Sequence, residues 1–217
     1  MSDVGGGIGP AIAIAMLLIV MLWFTFGTQR NVRKGNELLV WLQGGLPRLG
    51  RRTTVRWLGS SAVELTIAEA IDPARDVTVV VVLEPRDVGV LWAFARSRGR
   101  RDFVIVRLNL ITPPSFTADV GNERGWTGRL EAPDDRSWRR VTWSEGVVAQ
   151  FGPNADEALV QDAWRQLDAA SGGVWRLTIQ PVVHHLEVHV RPPDPSSVAA
   201  DRLIGTIVDL AARLVIR

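Results

Sequence analysis

Ile8-Gly-Pro-Ala-Ile-Ala-Ile-Ala-Met-Leu-Leu-Ile-Val-Met-Leu-Trp-Phe-Thr-Phe26 runs for nineteen residues without a charge. At about 1.5 Å rise per residue, a helix of that length spans close to the ~30 Å of a bilayer's hydrocarbon core. Pro10 falls in the first turn, where its missing N–H costs nothing. Trp23 and Phe26 stand near the far end, where aromatic rings suit the membrane interface. A cleaved signal peptide needs basic residues ahead of the apolar run and a small-x-small site behind it. Residues 1–9 carry only Asp3, and no such site follows Phe26. A buried helix of a soluble domain would still show a polar side somewhere, and this segment has none. The reading is a transmembrane helix over residues 8–27, preceded by a short flexible leader at 1–7.

The flanks of this helix set its direction. Asp3 is the one charge before it, while Arg30, Arg33 and Lys34 follow within a basic juxtamembrane flank at 28–35. The positive-inside rule then places the N-terminus outside the cell and the rest of the chain in the cytoplasm. Arg30, Arg33 and Lys34 are the residues expected at the membrane surface. The expectation is a single-pass protein of the cell membrane.

Outward from the anchor, the composition is that of a folded body. The chain has 217 residues, 47% hydrophobic and 22% charged, enough to bury a core. It has no Cys, which excludes disulfide scaffolds, thiolate zinc sites and cysteine catalysis. With Asp3 and the three flanking cations set aside, 22 cations meet 22 anions over residues 36–217. A formally neutral body gives no general attraction to nucleic acid, which is not an expected partner.

The pattern of residues 36–217 predicts an α+β body with a mixed sheet, in up to two lobes. A short helix is expected at Glu37–Leu46, loosened at its end by Gly44-Gly45. Thr53–Leu58 and Ala62–Ala68 alternate with period two around Gly59-Ser60, which reads as a hairpin. Val77–Leu83 is an almost unrelieved β-branched run, the mark of a central strand. Helical spacing over Val88–Arg96 and another strand at Phe103–Ile111 suggest a parallel crossover. These elements make a first lobe at 36–111. Residues 112–136, rich in Pro, Gly and charge, read as a linker or long loop in which only Trp126–Leu130 resembles a strand. The second lobe, 137–217, holds a hairpin across Ser144-Glu145-Gly146, a helix capped by Asn154, strands at Val174–Ile179 and Val182–Val190, and a C-terminal helix. That last helix has so thin a polar stripe that it is expected in the core.

Chemistry-bearing residues are few. All three histidines fall in His184-His185-Leu186-Glu187-Val188-His189. On a strand, His185, Glu187 and His189 share one face. Two imidazoles and a carboxylate so spaced can ligate zinc or iron, given a further carboxylate from another strand. The plainer account is a half-exposed strand whose polar side contains histidine. Glu84 and Asp87 lie where a central strand passes into a helix, a place where α/β sheets form ligand clefts. The plainer account there is a helix start, with Asp87 complementing its dipole and Arg86 in solvent. No nucleophile motif is present.

With an anchor, a patterned core and no catalytic signature, the expected function is a membrane-anchored binding or assembly domain. Its partners would be the lipid bilayer and another membrane protein or a second copy of the chain. Two alternatives come from other classes: a membrane-tethered metal enzyme using His185, Glu187 and His189, and a peripheral domain that binds anionic lipid.

Overall fold

The computed structural model describes residues 8–131, 137–194 and 198–216; the expected leader lies outside them. The first helix, α1, runs unbroken from Ile8 to Gln43, about 54 Å at the usual rise. This corrects the expected separate helix at Glu37–Leu46, since residues 37–43 continue α1. No proline interrupts residues 28–43, and the Arg33–Glu37 and Lys34–Glu37 pairs bridge neighbouring turns. The segment also has a docking stripe of its own. Gly27, Asn31, Gly35, Leu38 and Leu42 are buried at spacings of three and four. Gly35 lets the helix approach the body closely, since a Cβ there would stand 2.5 Å from Cη2 of Trp57.

Upstream of Gly27, α1 behaves differently. Side chains from Ile12 to Phe26 are exposed, and only 6% of the apolar window is buried. That excludes the core helix of a soluble domain, which would be covered. The helix is long and apolar enough to cross a membrane.

Behind α1 come β1 (Gly50–Trp57), β2 (Ala62–Ala70) and β3 (Ala74–Val82), then α2 (Gly89–Ser97) and β4 (Phe103–Leu110). There follow β5 (Ala118–Asn122), β6 (Arg139–Ser144), β7 (Val147–Phe151) and α3 (Glu157–Ser171). The chain closes with β8 (Val174–Ile179), β9 (Leu186–Val190) and α4 (Ala200–Val215). The fold is α+β. Its nine strands form one sheet in the order β1-β2-β3-β4-β9-β8-β5-β7-β6. The strands of both expected lobes join in it, β4 pairing with β9.

Every pairing is antiparallel, so the expected parallel crossover is not formed. β3 and β4 pair directly, Val82 opposite Phe103, and α2 sits in the connection between them. The stretch expected as a linker contributes β5, between β8 and β7. Ala118-Asp-Val-Gly-Asn122 has too few large apolar residues to announce a strand, yet Gly121 is needed there, because a Cβ would overlap the carbonyl of Gly128. Trp126–Leu130 is no strand; the chain around it straps the sheet, with Gly125 set against the indole of Trp175.

One face of the sheet carries the main core. Leu65, Val79, Val106, Leu177 and Val188 meet Leu38 and Leu42 of α1, Leu167 of α3, and Ile204 and Leu210 of α4. As the thin polar stripe implied, Leu203, Ile204 and Ile207 of α4 are fully buried. The cap of α3 is Asp156, whose side chain accepts from the Leu159 N–H at 2.9 Å. Asn154, expected in that role, lies outside the helix at positive φ. At its far end the helix is closed by Gly172 in the left-handed region.

Candidate functional site

The joint between α1 and the body is polar and buried, which is costly unless every group is matched. Asn31, fully buried on α1, donates through Nδ2 to the Glu84 carbonyl at 3.0 Å. Its Oδ1 accepts from Arg86 at 3.1 Å. Arg86 forms a two-pronged pair with Asp102, at 3.0 and 2.9 Å, the geometry that makes guanidinium–carboxylate pairs strong. Asp102 also accepts from the Glu84 N–H at 2.8 Å. The Glu84 carboxylate, only 2% exposed, accepts from Nε1 of Trp92 at 2.6 Å and from Arg96 at 3.1 Å. Two cations and two carboxylates thus tie the end of β3, α2 and the start of β4 to one turn of α1.

Sequence reasoning singled out Glu84 and Asp87 in this region. Glu84 is part of the joint. Asp87 is not; its Oδ2 accepts from the Ser60 hydroxyl at 2.6 Å. Arg86, expected in solvent, is nearly buried between Asp102 and Asn31. Asn31, Arg86, Trp92, Arg96 and Asp102 were missed as a group. The usable signal was Asn31 at four-residue spacing between Gly27 and Gly35, a polar residue on an otherwise small or apolar stripe.

Beside the joint, the apolar half of α1 meets α2. Nε1 of Trp23 donates to the Arg86 carbonyl at 3.1 Å. Its ring lies 6.4 Å from that of Trp92, and Gly89 lets α2 come up against it. A groove of about 730 Å³ runs along this seam. Its lower wall is Ile19, Leu22, Trp23 and Phe26, and its upper rim is Arg30, Arg86 and Arg96. α2 leaves Val90, Leu91 and Phe94 exposed, Val90 by 85%. Of the expected surface cations, Arg33 pairs with Glu37 at 3.2 Å and Lys34 approaches the same carboxylate at 3.9 Å. Arg30 has no acidic partner among the described residues.

On β9, Leu186, Val188 and Val190 enter the main core, while Glu187 and His189 lie on the opposite face of the sheet. β9 starts at Leu186, so His185 precedes it, and its Nδ1 accepts from the Leu110 N–H at 2.9 Å. Glu187 and His189 do share a face: Oε1 of Glu187 is 2.5 Å from Nε2 of His189. The other oxygen, Oε2, accepts from Nε of Arg107 on β4 at 2.6 Å. Burial pushes the Glu187 carboxyl up, but the hydrogen bonds and charges of His189 and then Arg107 outweigh it and hold it down at about 2. His189 stacks on Phe103. His185, Glu187 and His189 thus each have a protein partner, although Nδ1 of His189 is buried without one among the described residues, and among those residues no three His, Asp or Glu side chains come together to hold a metal. The arrangement ties β4 to β9.

No protein-family model matches the chain, and no curated protein does.

Proposed function

We propose that this chain is a single-pass membrane protein whose α+β body is held on the cytoplasmic face by α1. It serves there as a binding or assembly domain beside another membrane protein or a second copy of itself. The observation that carries this reading is the two-part character of α1. Its first half is apolar on every side and uncovered, and its second half is docked into the core. A signal sequence passes the same length and hydropathy criteria. Against it stands Trp23, inside the apolar run, which is bonded to the body through the Arg86 carbonyl and packed on Gly89. Cleavage after the run would cut next to the joint that these contacts build. The cationic trio after the run supports the cytoplasmic placement.

The test is fractionation of cells that express the full chain. The expected result is that the chain stays with membranes through a carbonate wash and that protease added outside intact cells leaves the body whole. Release by carbonate would overturn the anchor, and digestion from outside would overturn the orientation.

A further inference from the structure

We propose that the groove between α1 and α2 binds one anionic phospholipid of the bilayer, its phosphate at Arg30 and Arg96 and one acyl chain along Ile19, Leu22 and Phe26. This rests on the membrane-anchor reading and gives that anchor a specific lipid. Three observations carry it.

The groove is amphipathic along its length. Its lower wall belongs to the half of α1 proposed to sit in hydrocarbon, and its rim carries three guanidiniums. An aqueous ligand would leave the apolar wall unmatched, and a purely apolar one would leave the rim unmatched. A phospholipid has both ends in that order.

The charges leave one cation over. Arg86 is paired with Asp102 and Arg96 with Glu84, whereas Arg30 has no acidic partner among the described residues. A single surplus cation suits a phospholipid with one net negative charge, whose phosphate is not offset by a cation on its own headgroup. Arg96, about half exposed, keeps donors free to turn toward it.

The exposed apolar face of α2 lies beside this groove. Val90, Leu91 and Phe94 face away from the body, next to the segment that would enter the bilayer. A helix in that position rests with its apolar side among acyl chains and its cationic end, Arg96 and Arg98, at headgroup level. The lipid is then held between two protein surfaces that already reach its depth.

The test uses the full chain in uncharged detergent, delipidated and then titrated with phosphatidylglycerol or phosphatidylcholine, with bound lipid counted by native mass spectrometry. One phosphatidylglycerol per chain is expected, retained about fivefold or more over phosphatidylcholine. Arg30→Gln should bring that ratio to within about twofold of one, whereas Arg165→Gln on α3 should leave it unchanged. Equal retention of the two lipids, or a lipid-free dimer that masks the groove, overturns the proposal. Carbonate washing of membranes holding wild type and Arg30→Gln separates the two readings. Release of both means that the anchor has failed. Retention of both without a lipid preference means that only the lipid site has.

Discussion

Asn31→Leu tests the joint at its most enclosed point. The substitution keeps the approximate size of the side chain and removes two hydrogen bonds. The bond from Nδ2 to the Glu84 carbonyl is neutral, with a net contribution of about 1 kcal/mol, and the bond from Arg86 is charge-assisted, at about 1.5–3 kcal/mol. Arg86 keeps both bonds to Asp102, so its charge is not stranded and the larger penalty for an unpaired buried ion does not apply. Burial of the leucine offsets about 1 kcal/mol. The net loss is about 1.5–3 kcal/mol, which in a chain of this size lowers Tm by about 3–12 °C. Near-ultraviolet circular dichroism of the full chain in uncharged detergent measures it, because the Trp23–Trp92 contact lies beside the joint. Gln29→Ala, two residues away on the exposed side, is the control and should shift Tm by less than about 2 °C. If Asn31→Leu melts with wild type, α1 is not docked on Glu84 and Arg86 as described.

Other substitutions probe other links. Gly27→Ala puts a Cβ into the Arg86 carbonyl, where neither backbone can yield cheaply. It should destabilise by about 1–3 kcal/mol and expose the segment after Phe26 to hydrogen exchange; wild-type exchange there would show that α1 does not lie so close. Glu187→Gln carries a pH signature. The folded carboxyl sits at about 2, below its ordinary 4.5, so its contribution is complete above about pH 5 and fades as pH falls toward 2. The Tm gap between wild type and Glu187→Gln should therefore narrow over that range, and a constant gap would refute the Arg107–Glu187–His189 tie. Asp156→Ala removes the cap of α3 and should lower stability by about 1 kcal/mol in thermal melts, while an unchanged melt would return the cap to another residue.

The elements that the sequence announced are those whose residues satisfy only one demand. Val63, Leu65 and Ile67 alternate with glutamate and threonine because only one face of β2 is in the core, so their period of two reads directly. Leu203, Ile204 and Ile207 surround α4 because it is buried widely. Residues with two demands were harder to read. β5 must pass beneath the strap at Gly128, so it spends a position on glycine and loses its strand signal. Residues 28–35 carry a basic flank on one side and a docking stripe on the other, and the charges concealed the stripe. Arg86 looked like a solvated residue in a turn because its partners, Asn31 and Asp102, are 55 and 16 residues away. The candidate site was legible only at Glu84, because a joint between distant segments leaves no local spacing to find.

The joint explains why the break expected after the apolar run is absent. A flexible flank would let the body tumble beneath an anchor, and the α2 face would meet lipid only intermittently. A continuous α1 removes that freedom. Gly27 and Gly89 bring the Arg86 carbonyl and α2 into direct contact with the helix, and the Asn31–Glu84–Arg86–Asp102 network holds the helix against rotation about its own axis. On the proposed anchor, the nine-stranded sheet then has one orientation relative to the bilayer, and Val90, Leu91 and Phe94 always face it. A domain that presents one surface to a membrane partner, as proposed, depends on that constraint, because a body free to rotate would offer the surface only part of the time.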